Sequence, residues 1–219
     1  MLITSFHLYC TIALQASRSG CKLIQFLHTM AIITVVVALL VLTVSPSMVV
    51  WSCPAECMCT STRVDCEYRR LTSVPGNIPE NTTELYLNNN AIRDIPSDAF
   101  AGLHKLRRLV LSRNNFTTVP ENIPQTITYL NLHGNAIRVI PTDAFARLTN
   151  LRILELSKNQ LTELDEGIFT QLQNLEELYL FQNAITSIKN GTFAGLTNLK
   201  RLSLYENSIA HIADDALVA

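Results

Sequence analysis

The sequence predicts a repeat solenoid in which short parallel strands stack into one curved sheet. A phrase of the form L-x-x-L-x-L-x-x-N-x-L occurs six times after residue 80, and successive copies start 24, 21, 24, 24 and 24 residues apart. The central L-x-L alternates with a period of two, as a half-buried strand does. One such strand cannot bury its leucines alone, so we expect stacked copies that share a continuous core. The copies begin at Thr82, Leu106, Ile127, Leu151, Leu175 and Leu199.

The ninth position of the phrase is an asparagine in every copy. These residues are Asn90, Asn114, Asn135, Asn159, Asn183 and Asn207. They follow the strand where the chain turns inward, and a buried turn leaves backbone donors and acceptors unpaired. A carboxamide can satisfy both kinds of group, so the column predicts a structural ladder and not a ligand set.

The second half of each repeat predicts the opposite, convex side. Ile95 to Leu103 reads I-P-S-D-A-F-A-G-L, and similar segments give a column of core phenylalanines: Phe100, Phe145, Phe169 and Phe193. Proline after the isoleucine disfavours helix, so turns or short 3₁₀ segments are expected there. The copy after Phe116 lacks the phenylalanine half and has T-T-V-P-E-N-I-P-Q-T instead, which explains the 21-residue spacing.

Period and pattern together resemble the leucine-rich repeat. The resemblance implies an α/β-type leucine-rich-repeat solenoid, with a curved parallel β-sheet on the concave face and loops and short 3₁₀ turns on the convex face. The predicted plan is a leader over residues 1–52, a cysteine-rich cap over 53–81 and six repeats over 82–219, the last of them incomplete.

Four cysteines precede the first repeat with the spacing C-x3-C-x-C-x6-C: Cys53, Cys57, Cys59 and Cys66. Spacing alone allows three disulfide pairings, or a tetrahedral zinc site. The segment is similar to the N-terminal cap of extracellular leucine-rich-repeat proteins such as Slit, Toll-type receptors, the Nogo receptor and the variable lymphocyte receptors. That resemblance implies the pairs Cys53–Cys59 and Cys57–Cys66, with Val64 and Cys66 in the places of the two strand leucines.

The leader predicts entry into the secretory pathway. Residues 1–52 contain no Asp or Glu, and Arg18 and Lys22 precede an uncharged run from Met30 to Val44. This is signal-peptide architecture, with cleavage expected after Ser47 or Ser52. The alternative is a retained signal-anchor, a membrane tether through residues 23–44.

Both readings of the leader place the repeats outside the cell, where disulfides form. Three N-x-S/T sequons follow the apolar run and predict N-glycosylation at Asn81, Asn115 and Asn190.

The last repeat stops at Ala219, with Leu217 in the phenylalanine column and no cysteine after Cys66, so the sequence predicts no C-terminal cap. A solenoid needs capped ends. We therefore expect either a truncated product or an end covered by a partner, including end-to-end self-association of two chains.

The residues between the strand leucines predict a binding face. They point away from the core, and exposed aromatic side chains on a rigid sheet are typical interface anchors. The candidate ligand-binding residues are Tyr86, Arg108, Tyr129, Glu155, Tyr179, Phe181 and Tyr205. We expect Tyr179, Phe181 and Tyr205 to lie side by side.

The function class predicted is recognition. The resemblance implies a protein or glycan ligand on the concave face and no cofactor; the alternative is a structural matrix protein similar to the small leucine-rich proteoglycans. No catalytic or metal-ligating constellation is apparent, so we do not expect an enzyme. From residue 53 onward there are 18 acidic and 15 basic residues without a basic run, which predicts no nucleic-acid partner.

Overall fold

The computed structural model describes residues 53–216. The leader over residues 1–52 and the last three residues, including Leu217, lie outside the described part. The predictions of cleavage and of a membrane tether therefore stay predictions. Within residues 53–216, no helix is long and apolar enough to cross a bilayer.

Eight strands form one sheet in the order β1-β2-β3-β4-β5-β6-β7-β9. Their bounds are β1 Met58–Thr60, β2 Arg63–Asp65, β3 Glu84–Tyr86, β4 Arg108–Val110, β5 Tyr129–Asn131, β6 Ile153–Glu155, β7 Glu177–Tyr179 and β9 Arg201–Ser203. The first pair is antiparallel and all later pairs are parallel. A second, two-stranded parallel sheet pairs β8 (Ser187–Ile188) with β10 (His211–Ile212).

The register confirms the predicted repeat alignment. The middle residues of the strands lie opposite one another from Val64 through Leu85, Leu109, Leu130, Leu154 and Leu178 to Leu202. From Val64 to Leu178 this column is buried, and Cys66 is buried like the second leucine of a repeat. Adjacent strands thus place equivalent residues side by side, so the sheet presents columns of side chains on both faces.

The phenylalanine column packs beneath the convex side. Phe145 and Phe169 stack with ring centroids 5.8 Å apart, and Phe169 and Phe193 stack at 6.2 Å. All three rings are buried, as is Phe100. The column is therefore part of the core, as the sequence predicts.

The asparagine column forms the predicted ladder. The Nδ2 of Asn114 donates to the carbonyls of Leu87 (2.9 Å) and Leu111 (3.1 Å), and its Oδ1 accepts from the backbone N–H of Ile92 (3.0 Å). Asn159 and the other members make equivalent bonds. The residue before each ladder asparagine has a left-handed φ, in the order Asn89, Arg113, Gly134, Lys158, Gln182 and Glu206. The ladder bonds hold this uncommon turn in place.

The convex side consists of turns, with hydrogen bonds of the 3₁₀ type such as Ala99 N–H to Pro96 O and Leu103 N–H to Phe100 O. Residues 53–216 contain no α-helix, in agreement with the loops and short turns predicted for the convex face. The physical reason is the short arc between strands, in which proline (Pro96, Pro141) or glycine (Gly167, Gly191) interrupts any helical run.

The cap is closed by two disulfides, Cys53–Cys59 and Cys57–Cys66. These are the pairs that the resemblance implies. Because all four sulfurs are oxidised, the thiolates of a zinc site are not present in this cap. The second bridge joins the antiparallel β1–β2 pair to the first turn of the core, which fixes where the parallel sheet begins.

Candidate binding surface on the concave sheet

Three columns of side chains form the concave face, at the residues between and just after the strand leucines. The structure places all seven predicted ligand-binding residues in these columns. Their surroundings differ, however, because several of them already contact neighbouring side chains of the same chain. Those internal contacts separate the surface into an N-terminal half and a C-terminal half.

In the N-terminal half, arginines cover the tyrosines. The guanidinium carbon of Arg63 lies 3.9 Å from the centroid of the Tyr86 ring, and that of Arg108 lies 3.8 Å from the Tyr129 ring. The Tyr86 hydroxyl also donates to Glu84 (2.9 Å), and burial followed by this hydrogen bond raises the pKa of Tyr86. One face of each ring is thus occupied by a cation from the same chain.

Tyr179 is held in a charged network. Its hydroxyl donates to Glu177 Oε2 and accepts from Arg201 Nη1 at 3.0 Å, while Arg201 pairs with Glu177 Oε1 at 2.6 Å. The hydrogen bond to Glu177, and then burial, raise the pKa of the Tyr179 phenol. The polar end of Tyr179 is therefore already satisfied within the chain.

Phe181 and Tyr205 form a parallel stack. Their ring centroids are 4.6 Å apart with an interplanar angle of 6°, and Tyr205 is 57% exposed. On the other side of Phe181, the His133 ring lies 6.2 Å away at 52°. The small Ser157 occupies the place between His133 and Phe181 in the column and is fully buried. We call His133, Phe181 and Tyr205 the aromatic row.

A hydrogen-bonded chain links the aromatic row to Glu155. The Ser157 hydroxyl donates to Glu155 Oε1, and His133 Nδ1 lies 2.7 Å from the Ser157 oxygen. Since the serine proton points to the carboxylate, His133 donates its Nδ1 proton to Ser157 and carries its free lone pair on Nε2. Burial, followed by Lys158 and Arg113, lowers the pKa of His133, which favours the neutral ring. Burial raises the pKa of Glu155 despite two opposing bonds from Ser157.

The hydrogen-bonded residues Glu155, Ser157 and His133 do not form the arrangement of a catalytic nucleophile. Ser157 is enclosed, with none of its surface exposed, so no substrate carbonyl reaches its hydroxyl. His104 and His211 are exposed residues outside the concave columns and do not join His133. Within residues 53–216, no three side chains of His, Cys, Asp or Glu converge as metal ligands. What the arrangement can do is present a fixed, partly apolar and partly acidic surface.

The predicted glycosylation sites differ in accessibility. Asn115 and Asn190 are exposed, whereas Asn81 is half-buried. The Oδ1 of Asn81 is enclosed and has no hydrogen-bond partner within residues 53–216. Asn115 and Asn190 are therefore the better acceptors, and all three sites stay predictions.

Two clefts lie away from the concave face, where a short proline-braced arc meets a longer one. A cleft of about 280 Å³ is lined by Phe100, Asn122 and Ile123, and one of about 370 Å³ by Val74, Ile78 and Ala99. Neither includes a residue that the sequence predicts as ligand-binding. Neither cleft is lined by a residue of the aromatic row.

The two arginine–tyrosine contacts and the Glu155–Ser157–His133 chain are absent from the sequence-based prediction. The repeat alignment does place Ser157 beside His133, since both occupy the third column. Arg63 and Arg108 cover neighbouring rings because of the direction that their side chains take. The spacing of residues in the sequence does not give that direction.

The fold and this surface define an extracellular-type leucine-rich-repeat domain with a disulfide-bonded N-terminal cap. Family models described as "Leucine rich repeat" and "Leucine Rich repeats (2 copies)" match residues 80–123 and 125–185, and residues 173–214, respectively. Together these matches cover more than half of the chain, which belongs to the leucine-rich-repeat family.

Known proteins are similar over part of their length. Platelet glycoprotein Ib beta chain of Rattus norvegicus is 44% identical over 78 residues, covering 35% of this chain and 38% of that protein. Leucine-rich repeat-containing protein 3B of Bos taurus is 42% identical over 65 residues, covering 28% of this chain and 25% of that protein. The chain thus spans well under half of the curated relatives that it matches.

Solved structures are similar over more of this chain. A crystal structure of a TLR13–ssRNA13 complex superposes with a TM-score of 0.63 at 28% identity, covering 68% of this chain and 21% of that chain. An octameric complex of Latrophilin 3, Unc5D and FLRT2, in which FLRT2 contributes the leucine-rich repeats, gives 0.54 at 26% identity and covers 75% and 72%.

Proposed function

We propose that this chain is an extracellular recognition module that binds a protein partner on its concave face, in the manner of an adhesion or receptor ectodomain. The observation that carries the proposal is the Phe181–Tyr205 stack. Among residues 53–216, no arginine lies over either of these two rings, and Tyr205 is more than half exposed. Interface hot spots are enriched in such rings, at positions surrounded by polar side chains.

A protein partner is supported by the family and by one structural neighbour, the octameric complex in which a leucine-rich-repeat chain assembles with other proteins. The exclusion of nucleic acid from composition is not supported, because another neighbour is a complex with single-stranded RNA. We favour protein, because the C-terminal half of the concave face contains Glu155, a carboxylate near the stacked rings that has no ion pair within residues 53–216. A carboxylate at that position opposes a phosphate backbone.

An extracellular location is supported by the two disulfides, which persist in oxidising compartments. We infer glycosylation at the exposed sequons Asn115 and Asn190. Secreted chain should lose mass on treatment with peptide-N-glycosidase, and the loss should shrink in Asn115→Gln and Asn190→Gln. A chain that reaches the medium with unmodified Asn115 and Asn190 contradicts the inference.

The binding proposal is tested by an ectodomain screen. The chain, multimerised to increase avidity, is presented to a panel of human-cell-displayed extracellular ectodomains, with single-stranded RNA as a competitor. We expect saturable binding of the multimerised chain to a displayed protein. Untagged chain should compete for this binding, and RNA should not. A photocrosslinker in place of Tyr205 should capture that partner, and one in place of Tyr68, which is 68% exposed on the cap, should not. Capture only from position 68, or displacement by RNA alone, contradicts the proposal.

A further inference from the structure

Glu155 is a half-buried carboxylate that pairs with no cation within residues 53–216. The five ion pairs among residues 53–216 use the carboxylates of Asp65, Glu163, Glu176 and Glu177, with Glu176 in two of them. Glu155 Oε1 accepts hydrogen bonds from the N–H and hydroxyl of Ser157, and Oε2 has no hydrogen-bond partner in the same region. A carboxylate held away from water in this way gains from an added cation more than an exposed one does.

Arginine side chains of the chain itself cover two of the aromatic rings on this surface. Arg63 lies over Tyr86 and Arg108 over Tyr129, each with its guanidinium carbon within 4 Å of the ring centroid. The Phe181–Tyr205 stack has no cation over it among the described residues. Arg201, on the strand that precedes Tyr205, is held by Glu177 and Tyr179.

Glu155 and the stack are close enough for one side chain to contact both. Phe181 follows strand β7, which pairs with β6 so that Glu155 lies opposite Tyr179. Phe181 is two residues beyond Tyr179 on the same face, which places its Cα about 8 Å from that of Glu155. Hydrogen bonds join Glu155 to Ser157 and Ser157 to His133, whose ring lies 6.2 Å from that of Phe181.

We propose that Glu155 and the Phe181–Tyr205 stack form a binding site for an arginine side chain of the protein partner. The guanidinium lies over the aromatic stack, as the guanidinium groups of Arg63 and Arg108 lie over their rings, and its edge donates to the free Oε2 of Glu155. Arginine is assigned over lysine because its plane stacks on rings while its fork of N–H groups meets a carboxylate. The inference rests on the proposed protein-binding function and specifies one anchor residue of that partner.

The test uses N-acetyl-arginine amide as the probe and N-acetyl-citrulline amide as its uncharged counterpart of nearly equal shape. The full chain, secreted from an oxidising host, is titrated while the aromatic resonances of Tyr205 and Phe181 are followed by NMR. We expect arginine to shift these resonances with a Kd in the millimolar range and citrulline to bind at least about tenfold more weakly. Equal shifts from both probes overturn the proposal.

Matched variants locate the site. Glu155→Gln keeps an oxygen for the two Ser157 bonds and should weaken arginine binding about tenfold or more. Glu84→Gln changes the same charge on the same face and should leave it within about twofold. Tyr205→Leu should weaken binding severalfold, and Tyr68→Leu, at an exposed ring of the cap, should not. An equal effect of both glutamates, or of both tyrosines, overturns the assignment.

The two proposals fail separately. If the screened partner loses affinity with Phe181→Ala but not with Glu155→Gln, the concave face binds protein and the arginine site is wrong. If the arginine probe binds as expected but the photocrosslinked partner contacts only position 68, the site exists and the proposed function is wrong.

Discussion

Replacing Leu178 by alanine should destabilise the solenoid far more than replacing its neighbour Tyr179. Leu178 is the central residue of β7, has no exposed surface, and lies between Leu154 and Leu202 in the register. Truncating a fully buried leucine removes its transfer free energy and leaves a cavity, which costs about 3–5 kcal/mol. Tyr179→Ala loses hydrogen bonds to Glu177 and Arg201 on the open face, which is about 1 kcal/mol or less.

The difference is large enough to measure by thermal unfolding. For a folded region of this size, each kcal/mol lowers the melting temperature by about 2–4 °C, so Leu178→Ala should lower it by roughly 6–20 °C. Calorimetry and circular dichroism of the two variants with disulfides intact provide the assay. Because each repeat contacts only its neighbours, Leu178→Ala should also broaden the transition by uncoupling the repeats on either side.

Comparable destabilisation by Tyr179→Ala would refute this reasoning. It would mean that the side chains of β7 point the other way. A one-residue slip of register exchanges the two faces of a strand, so every residue assigned to the concave surface would then be misplaced.

Three further predictions concern the cap, the ladder and the acidic group of the surface. Cys66→Ser should lower the free energy of unfolding by about 2–5 kcal/mol in urea titrations, since it removes a bridge buried at the start of the core; an unchanged midpoint would argue against a structural role for that disulfide. Asn159→Asp keeps the acceptor for Ile137 N–H but loses the donor to buried carbonyls and buries a charge, which should cost about 3–5 kcal/mol. Asn150→Asp, at an exposed amide with one bond, should cost about 1 kcal/mol or less, and similar losses at both positions would contradict the ladder. Burial raises the pKa of Glu155 in the folded chain, so its contribution to stability is present at low pH and is lost as pH rises through that raised pKa. Glu155→Gln should therefore be more stabilising at pH 7 than at pH 4, and a gain that is larger at pH 4 would contradict the assigned direction.

Most of the fold could be predicted from the sequence because each core position of a solenoid recurs at a fixed place in every repeat. The spacing of the phrase placed Leu85 and Leu178 at equivalent positions, and the register puts them there. The same alignment put Val64 and Cys66 of the cap in the leucine columns, where the structure buries both. The repeat period and the hydrophobicity suffice to place such residues, because each buried side chain can occupy only one position in the repeat.

The convex side forms the loops and short turns that the sequence predicts. Whether an arc of this length forms a helix depends on local breakers. Here Pro96 and Gly191 stop any helical run, and the arcs close as turns.

The surface was predicted only in outline. Column position correctly gives which residues face outward, but it does not give the contacts that they make there. Long side chains such as Arg63 and Arg108 can turn toward any neighbour, and the structure shows that they cover Tyr86 and Tyr129. Of the three aromatic residues expected to lie side by side, Phe181 and Tyr205 stack, whereas the hydroxyl of Tyr179 is bonded to charged groups. Such choices depend on side-chain rotamers, which a repeat pattern does not encode.

The central claim is that a protein partner binds the concave face at the Phe181–Tyr205 stack. The most direct test measures the affinity of the double variant Phe181→Ala/Tyr205→Ala for the partner found in the ectodomain screen. Surface plasmon resonance should show a loss of affinity of about thirtyfold or more, since truncation costs about 1–3 kcal/mol for each of the two rings. Tyr68→Ala removes an equally exposed ring from the cap and should change the affinity by less than about twofold. Unchanged affinity for the double variant, at a melting temperature that shows it to be folded, would contradict the account.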